Sequence, residues 1–224
     1  MLDIALAMAE FVSAALSFVL LLFMVKPYLY SGEDRYVGLP FGFAFLGMSY
    51  LFMGFAFSLN AFHFVEELKW LQLFTEAYAF AFIAMTYYFS KKKADRGTRL
   101  RWEFIFSALI VGLVATYLII LEPSSHMFNL PSYSIADRYI SVLDIVLASY
   151  VCVYTLRNHA VNPDPKTILA PLGYILLAFG EYSSLIWSLD SSYSALAGSY
   201  IIRLAGLVVF LWISLKTFFS WDSE

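Results

Sequence analysis

Charge is what this 224-residue chain has least of: Asp, Glu, Lys and Arg together make up 14 % of it. A soluble domain carries about a quarter. So few polar side chains cannot cover a water-facing surface, which excludes a soluble globular fold. The formal net charge of −3 leaves no basic excess for a nucleic-acid partner. A single cysteine, Cys152, excludes an intrachain disulfide and leaves the redox compartment unread. There are three histidines and no HExxH, GxSxG, P-loop, GxGxxG or paired-cysteine motif. Neither an enzymatic activity nor a cofactor is expected.

What fills the chain instead is apolar. Hydrophobic residues reach 61 %, mean hydropathy is +0.74, and there are 22 Phe and 16 Tyr. Aromatics at that level suit lipid contact and interfacial belts. A bilayer core about 30 Å thick needs roughly 20 apolar residues of helix. Seven runs qualify, at about 3–25, 37–59, 70–90, 103–121, 139–157, 168–189 and 198–218. The first reads as a retained span, because it lacks a basic start, is too long for a leader, and carries Asp3 and Glu10. The connections are marked by turn chemistry: "YSGEDR" at 30–35, "KKKADRGTR" at 91–99, "EPSSHMFNLPS" at 122–132 and "NPDPK" at 162–166. "NAFHFVEELK" at 60–69 reads as a short interfacial helix. The expectation is an all-α membrane protein, one domain over 1–224, in the plasma membrane.

Cations orient it. The odd-numbered connections and the C-terminal end hold Lys26, Arg35, Lys91, Lys92, Lys93, Arg96, Arg99, Arg101, Arg157, Lys166 and Lys216. The even-numbered ones hold only Lys69 and Arg138. The positive-inside rule then puts the N-terminus outside and the C-terminus in the cytoplasm.

Two segments repeat. "LDIALA" at 2–7 shares five of six letters with "LDIVLA" at 143–148, at the start of spans 1 and 5. Spans 2 and 6 also align, Pro40 with Pro171 and Gly42 with Gly173. Each Pro falls in a first helical turn, where its missing N–H costs little. Spans 3 and 7 match only in character. This predicts a 3+1+3 arrangement: parallel triplets at about 3–90 and 139–218, joined by a linker helix at about 103–121. The same span order occurs in the SWEET sugar carriers, a likeness of architecture with no shared motif. A microbial-rhodopsin reading fails because Lys216 stands at the end of span 7, not at its middle.

Ionisable residues at membrane depth are costly and mark function by default. Glu10, Glu76, Asp144, Glu181 and Arg203 lie within five different spans. Counted from the outer helix ends at about 1.5 Å per residue, all stand roughly 8–14 Å deep. One shared site open to the outside is predicted, with Arg203 paired to Glu76 or Glu181 and Tyr50, Tyr78, Tyr182, Trp187 and Tyr200 as lining candidates. A purely structural ion pair would account for Arg203 and one acid, leaving the other acids to be protonated, hydrated or balanced by a cation.

Elsewhere the signals are weak. His63, Glu66 and Glu67 have helical spacing in "HFVEE", and His126 could join them as metal ligands only in the fold. The cationic run at 91–101 reads as a topology determinant meeting anionic lipid heads. Three function classes remain: a small-solute or cation/proton-coupled transporter, a seven-helix sensor without its own output domain, and an accessory subunit of a larger membrane complex. The partners expected are the lipid bilayer and either further copies of the chain or other membrane subunits.

Overall fold

In a computed structural model, residues 2–31, 37–59, 64–90, 96–122, 132–161 and 169–219 are described, the side chains of 2, 3, 27, 28, 30, 31, 96, 218 and 219 excepted. Among them are seven helices: α1 (Leu2–Ser31), α2 (Gly38–Ser58), α3 (Val65–Ser90), α4 (Arg96–Leu121), α5 (Tyr133–Val161), α6 (Leu169–Asp190) and α7 (Tyr193–Phe219). Six are long and apolar enough to cross a membrane. The architecture is that of a polytopic membrane protein. In lipid the helix is favoured because it satisfies its own backbone polar groups. Its hydroxyls do likewise: Ser13, Ser17, Thr86 and Thr155 each donate to a carbonyl one turn back, at 2.9–3.0 Å.

The exception is α3. Its first turns carry Glu66, Glu67 and Lys69, followed by Gln72, Thr75 and Glu76. These residues lower its hydropathy, and α2, α4 and α5 cover it instead of lipid. The segment expected to lie as a separate interfacial helix at 60–69 is, from Val65 onward, the first turn of α3. Helix favours continuity there, since a break would leave backbone groups unpaired near the apolar boundary.

Contacts link the helices in a closed ring, α1–α2–α3–α5–α6–α7 and back to α1, with α4 packed outside on α3. Registers give the directions. Phe11 meets Gly54 while Phe18 meets Gly47, so α1 and α2 run antiparallel. Tyr133 bonds Gln72 while Tyr154 bonds Ser90, so α3 and α5 run parallel. On the outer side, Tyr117 bonds Thr75 while Trp102 stacks edge-on against Phe89, so α4 runs back along α3. That return stroke is what lets α5 start from the same end as α3. The turn from α6 to α7 is tight: Ser191 takes a left-handed φ of 52°, and its N–H donates to Trp187 O at 2.8 Å.

Pro40 and Pro171 are each the third residue of their helix, and Gly42 and Gly173 each the fifth. Both glycines are sites of close approach. A Cβ on Gly42 would lie 2.4 Å from Ile83 Cγ1 of α3, and one on Gly173 would lie 2.6 Å from the Phe210 ring of α7.

Candidate functional site

The five charged positions expected within spans converge. They stand eight to eleven residues in from one end of the bundle, counted from Leu2 for Glu10, Val65 for Glu76, Tyr133 for Asp144, Asp190 for Glu181 and Tyr193 for Arg203. At about 1.5 Å per residue that is roughly 12–17 Å along the helices. Each is more than nine-tenths buried. They line one cavity of about 40 Å³ together with Gln72, Tyr133, Asp137, Ser141, Ser184, Trp187, Ser199 and Tyr200. Since one water needs roughly 10–15 Å³ measured this way, the space suits about three.

Arg203 is held by α1, not by the acids expected. Its Nη1 donates to Glu10 Oε2 at 3.2 Å and Oε1 at 3.3 Å. The pair joins the first helix to the last and closes the ring. The guanidinium also lies over two rings, 4.7 Å from the Tyr50 centroid and 5.2 Å from that of Tyr200, a cation–π arrangement that strengthens in a dry site. The pairing with Glu76 or Glu181 failed as an expectation because it assumed the partner had to come from α3 or α6. Which face α1 turns inward depends on ring closure, which no local pattern encodes.

The remaining acids are poorly satisfied. Glu76 Oε2 accepts a hydrogen bond from Gln72 Nε2 at 2.5 Å, and Gln72 Oε1 accepts one from the Tyr133 hydroxyl at 3.4 Å. Glu76 Oε1, Asp144 Oδ1, Glu181 Oε1 and Arg203 Nε are buried with no hydrogen-bond partner among the described residues. Buried polar atoms are almost always paired. Three orphan carboxylate oxygens around one space of about 40 Å³ therefore point to something that occupies it.

The sequence reading missed Tyr133, Ser141, Ser184 and Ser199, and also two lining residues that stand next to recognised acids. Asp137 lines the cavity two turns from Asp144 on the same helix, and Gln72 lies one turn from Glu76. Helical spacing from the recognised acids was the available signal for both. Two tyrosine candidates are set elsewhere. Tyr78 turns toward α4, its hydroxyl 3.5 Å from Thr116 Oγ1, and Tyr182 is 51 % exposed on the bundle's outer face. Tyr50 lies under Arg203, while Tyr200 and Trp187 line the space. The hexapeptide match also slips. Asp3, whose side chain lies outside the described residues, aligned with Asp144, but at the level of the site it is Glu10, two turns further along α1, that faces the cavity with Asp144.

Every cavity-lining side chain lies at the level of the acids or nearer the end where α1, α3, α5 and α7 begin. Beyond the acids one buried apolar cluster draws on all six ring helices, with Leu20, Phe43, Leu46, Ile83, Val151, Leu177, Leu207 and Phe210. Phe210 packs edge-on against Tyr174 at 4.7 Å and Phe43 at 5.7 Å. The lining of the cavity thus extends from the acids toward one end of the bundle, and apolar packing lies on the other side of them.

No three His, Cys, Asp or Glu among the described residues stand close enough to hold one metal ion. Of the metal candidates, His63 and His126 lie outside the described residues, and Glu66 and Glu67 fall in the first turn of α3, away from the cavity. Of the cationic run, 91–95 also lie outside them, and Arg99 pairs with Glu103 at 2.9 Å on an exposed face of α4. No protein-family model, curated protein or solved structure matches the chain.

Proposed function

We propose that the protein is a carrier that takes a small cationic or proton-coupled solute from the outer side of the plasma membrane into a buried acidic site. The observation that carries this reading is the set of three unpartnered carboxylate oxygens around one cavity. Five acids, Glu10, Glu76, Asp137, Asp144 and Glu181, face that space with one base, Arg203. Uncompensated charge in low dielectric is too costly to persist, so each unpaired acid takes up a proton or is balanced by a cation that enters the site. A cavity whose lining reaches toward one end of the bundle, with Phe210 and Tyr174 packed on its other side, is what one half of an alternating-access cycle would require.

Two triplets support the same reading. In α1–α2–α3 and in α5–α6–α7 the helices run in the same sequence of directions. Gly42 meets Ile83, seven residues after Glu76, and Gly173 meets Phe210, seven after Arg203. Rocking of one triplet against the other would move the plug while leaving the site between them, with the N-terminus outside and α4 as the linker.

The test is reconstitution. In proteoliposomes, an imposed proton or cation gradient should collapse faster with the protein than without it, and more slowly again with Glu181→Gln. A protein that extracts gently with stoichiometric membrane subunits and moves neither protons nor cations alone would replace this reading with the accessory-subunit one. The exposed apolar face of α4, including Phe104, Val111 and Leu118, is where such subunits would sit.

A further inference from the structure

The geometry narrows the ligand. A bound metal ion needs several oxygens converging on one point, and among the described residues no three acidic side chains facing this cavity stand close enough to hold one. The space suits about three waters. Arg203 sits at its wall, already paired with Glu10 and with its Nε unpartnered. Glu76 alone among the unpaired acids is aimed by the protein. Gln72 fixes its Oε2, Tyr133 on α5 fixes Gln72, and Oε1 is left free toward the cavity. We infer that the species taken up is the proton, and that Glu76 Oε1 is where it lands.

The step balances simply. A hydronium at the open end gives up one O–H bond, a new O–H bond forms at Glu76 Oε1, and neutral water remains; no electrons are exchanged. The groups facing Glu76 come from every helix of the ring: Glu10 on α1, Tyr50 on α2, Tyr133, Asp137 and Asp144 on α5, Glu181 on α6, and Tyr200 and Arg203 on α7. Arg203 is occupied by Glu10, so the added proton is what neutralises Glu76. Asp137, nearer the opening, is the first carboxylate on the way in. The uptake of a proton stands on this geometry alone, whereas its passage across the membrane rests on the carrier reading above.

Infrared difference spectra of the purified protein in lipid vesicles, between alkaline and acidic buffer, read the carboxyl directly. A protonated-carboxyl C=O band should appear on acidification and lose intensity in Glu76→Gln. An identical spectrum in that variant overturns the inference. Should Glu76→Gln fail to fold, Gln72→Leu keeps the acid and strips its Oε2 hydrogen bond, so the band should shift; an unshifted band overturns the inference equally. The same vesicles, loaded with a pH-sensitive dye or with radioactive sodium or rubidium, separate the two ideas. Proton flux without sodium or rubidium flux supports both. A carboxyl band with no flux of any kind keeps the proton site and ends the carrier reading. Sodium or rubidium flux lost in Glu76→Gln, with no change in the band, keeps the carrier and overturns the proton.

Discussion

Arg203 shows what a single residue commits the rest of the chain to. A guanidinium among apolar helices needs an acid within reach, and Glu10 supplies it at 3.2 Å. Removing one partner of a buried pair leaves the other uncompensated, at a cost of about 3–5 kcal/mol. Arg203→Ala should therefore lower thermal stability in detergent or lipid by that order. Replacing both, Arg203→Met with Glu10→Leu, should recover most of the loss, because an apolar pair of similar volume is often neutral. If the double variant is no more stable than Arg203→Ala, the pair does not carry this part of the fold. The five charges were legible in the sequence because each interrupts an apolar run. The partner of Arg203 was not, and the tyrosines were legible only in part: Tyr50 and Tyr200 lie at the site, whereas Tyr133 was missed. With 16 Tyr in the chain, being aromatic says nothing about which face of a helix is inward, as Tyr78 and Tyr182 illustrate.

Among the helices, α3 and the two proline-started helices carry the informative contrasts. The existence and order of all seven helices were legible from run length, since lipid tolerates little else. Their ends were not: α4 begins at Arg96 and α5 at Tyr133, each about two turns earlier than hydropathy alone suggests. Helices continue past the apolar core because their own hydrogen bonds, not lipid, decide where they stop. The glycines of α2 and α6 set the spacing to α3 and α7. Gly42→Ala and Gly173→Ala place a Cβ within 2.4 Å of Ile83 and 2.6 Å of the Phe210 ring. Overpacking of this kind costs about 1–3 kcal/mol, so both variants should unfold at lower temperature than the parent. Pairing each with a smaller neighbour, Ile83→Val or Phe210→Leu, should relieve part of it. An unchanged melting temperature in the single variants would show that the helices separate freely at these points.

At the scale of the whole molecule, a ring of six helices has to sit in the membrane in one orientation. The cation bias predicts that a cysteine in place of Asp95 stays unlabelled by an impermeant thiol reagent added outside intact cells and labels after permeabilisation; Cys152 is buried and adds little background. Labelling from outside would invert the topology. The central claim is a polar path that enters from the outer end, reaches the acids and stops at the apolar plug. Cysteine accessibility tests it most directly. In a Cys152→Ser background, Ser184→Cys on the cavity wall should react with a small charged thiol reagent applied outside, while Leu207→Cys in the plug should resist it from both sides. Equal reaction at both positions, or none at Ser184→Cys, would contradict a half-open path to a buried acidic site.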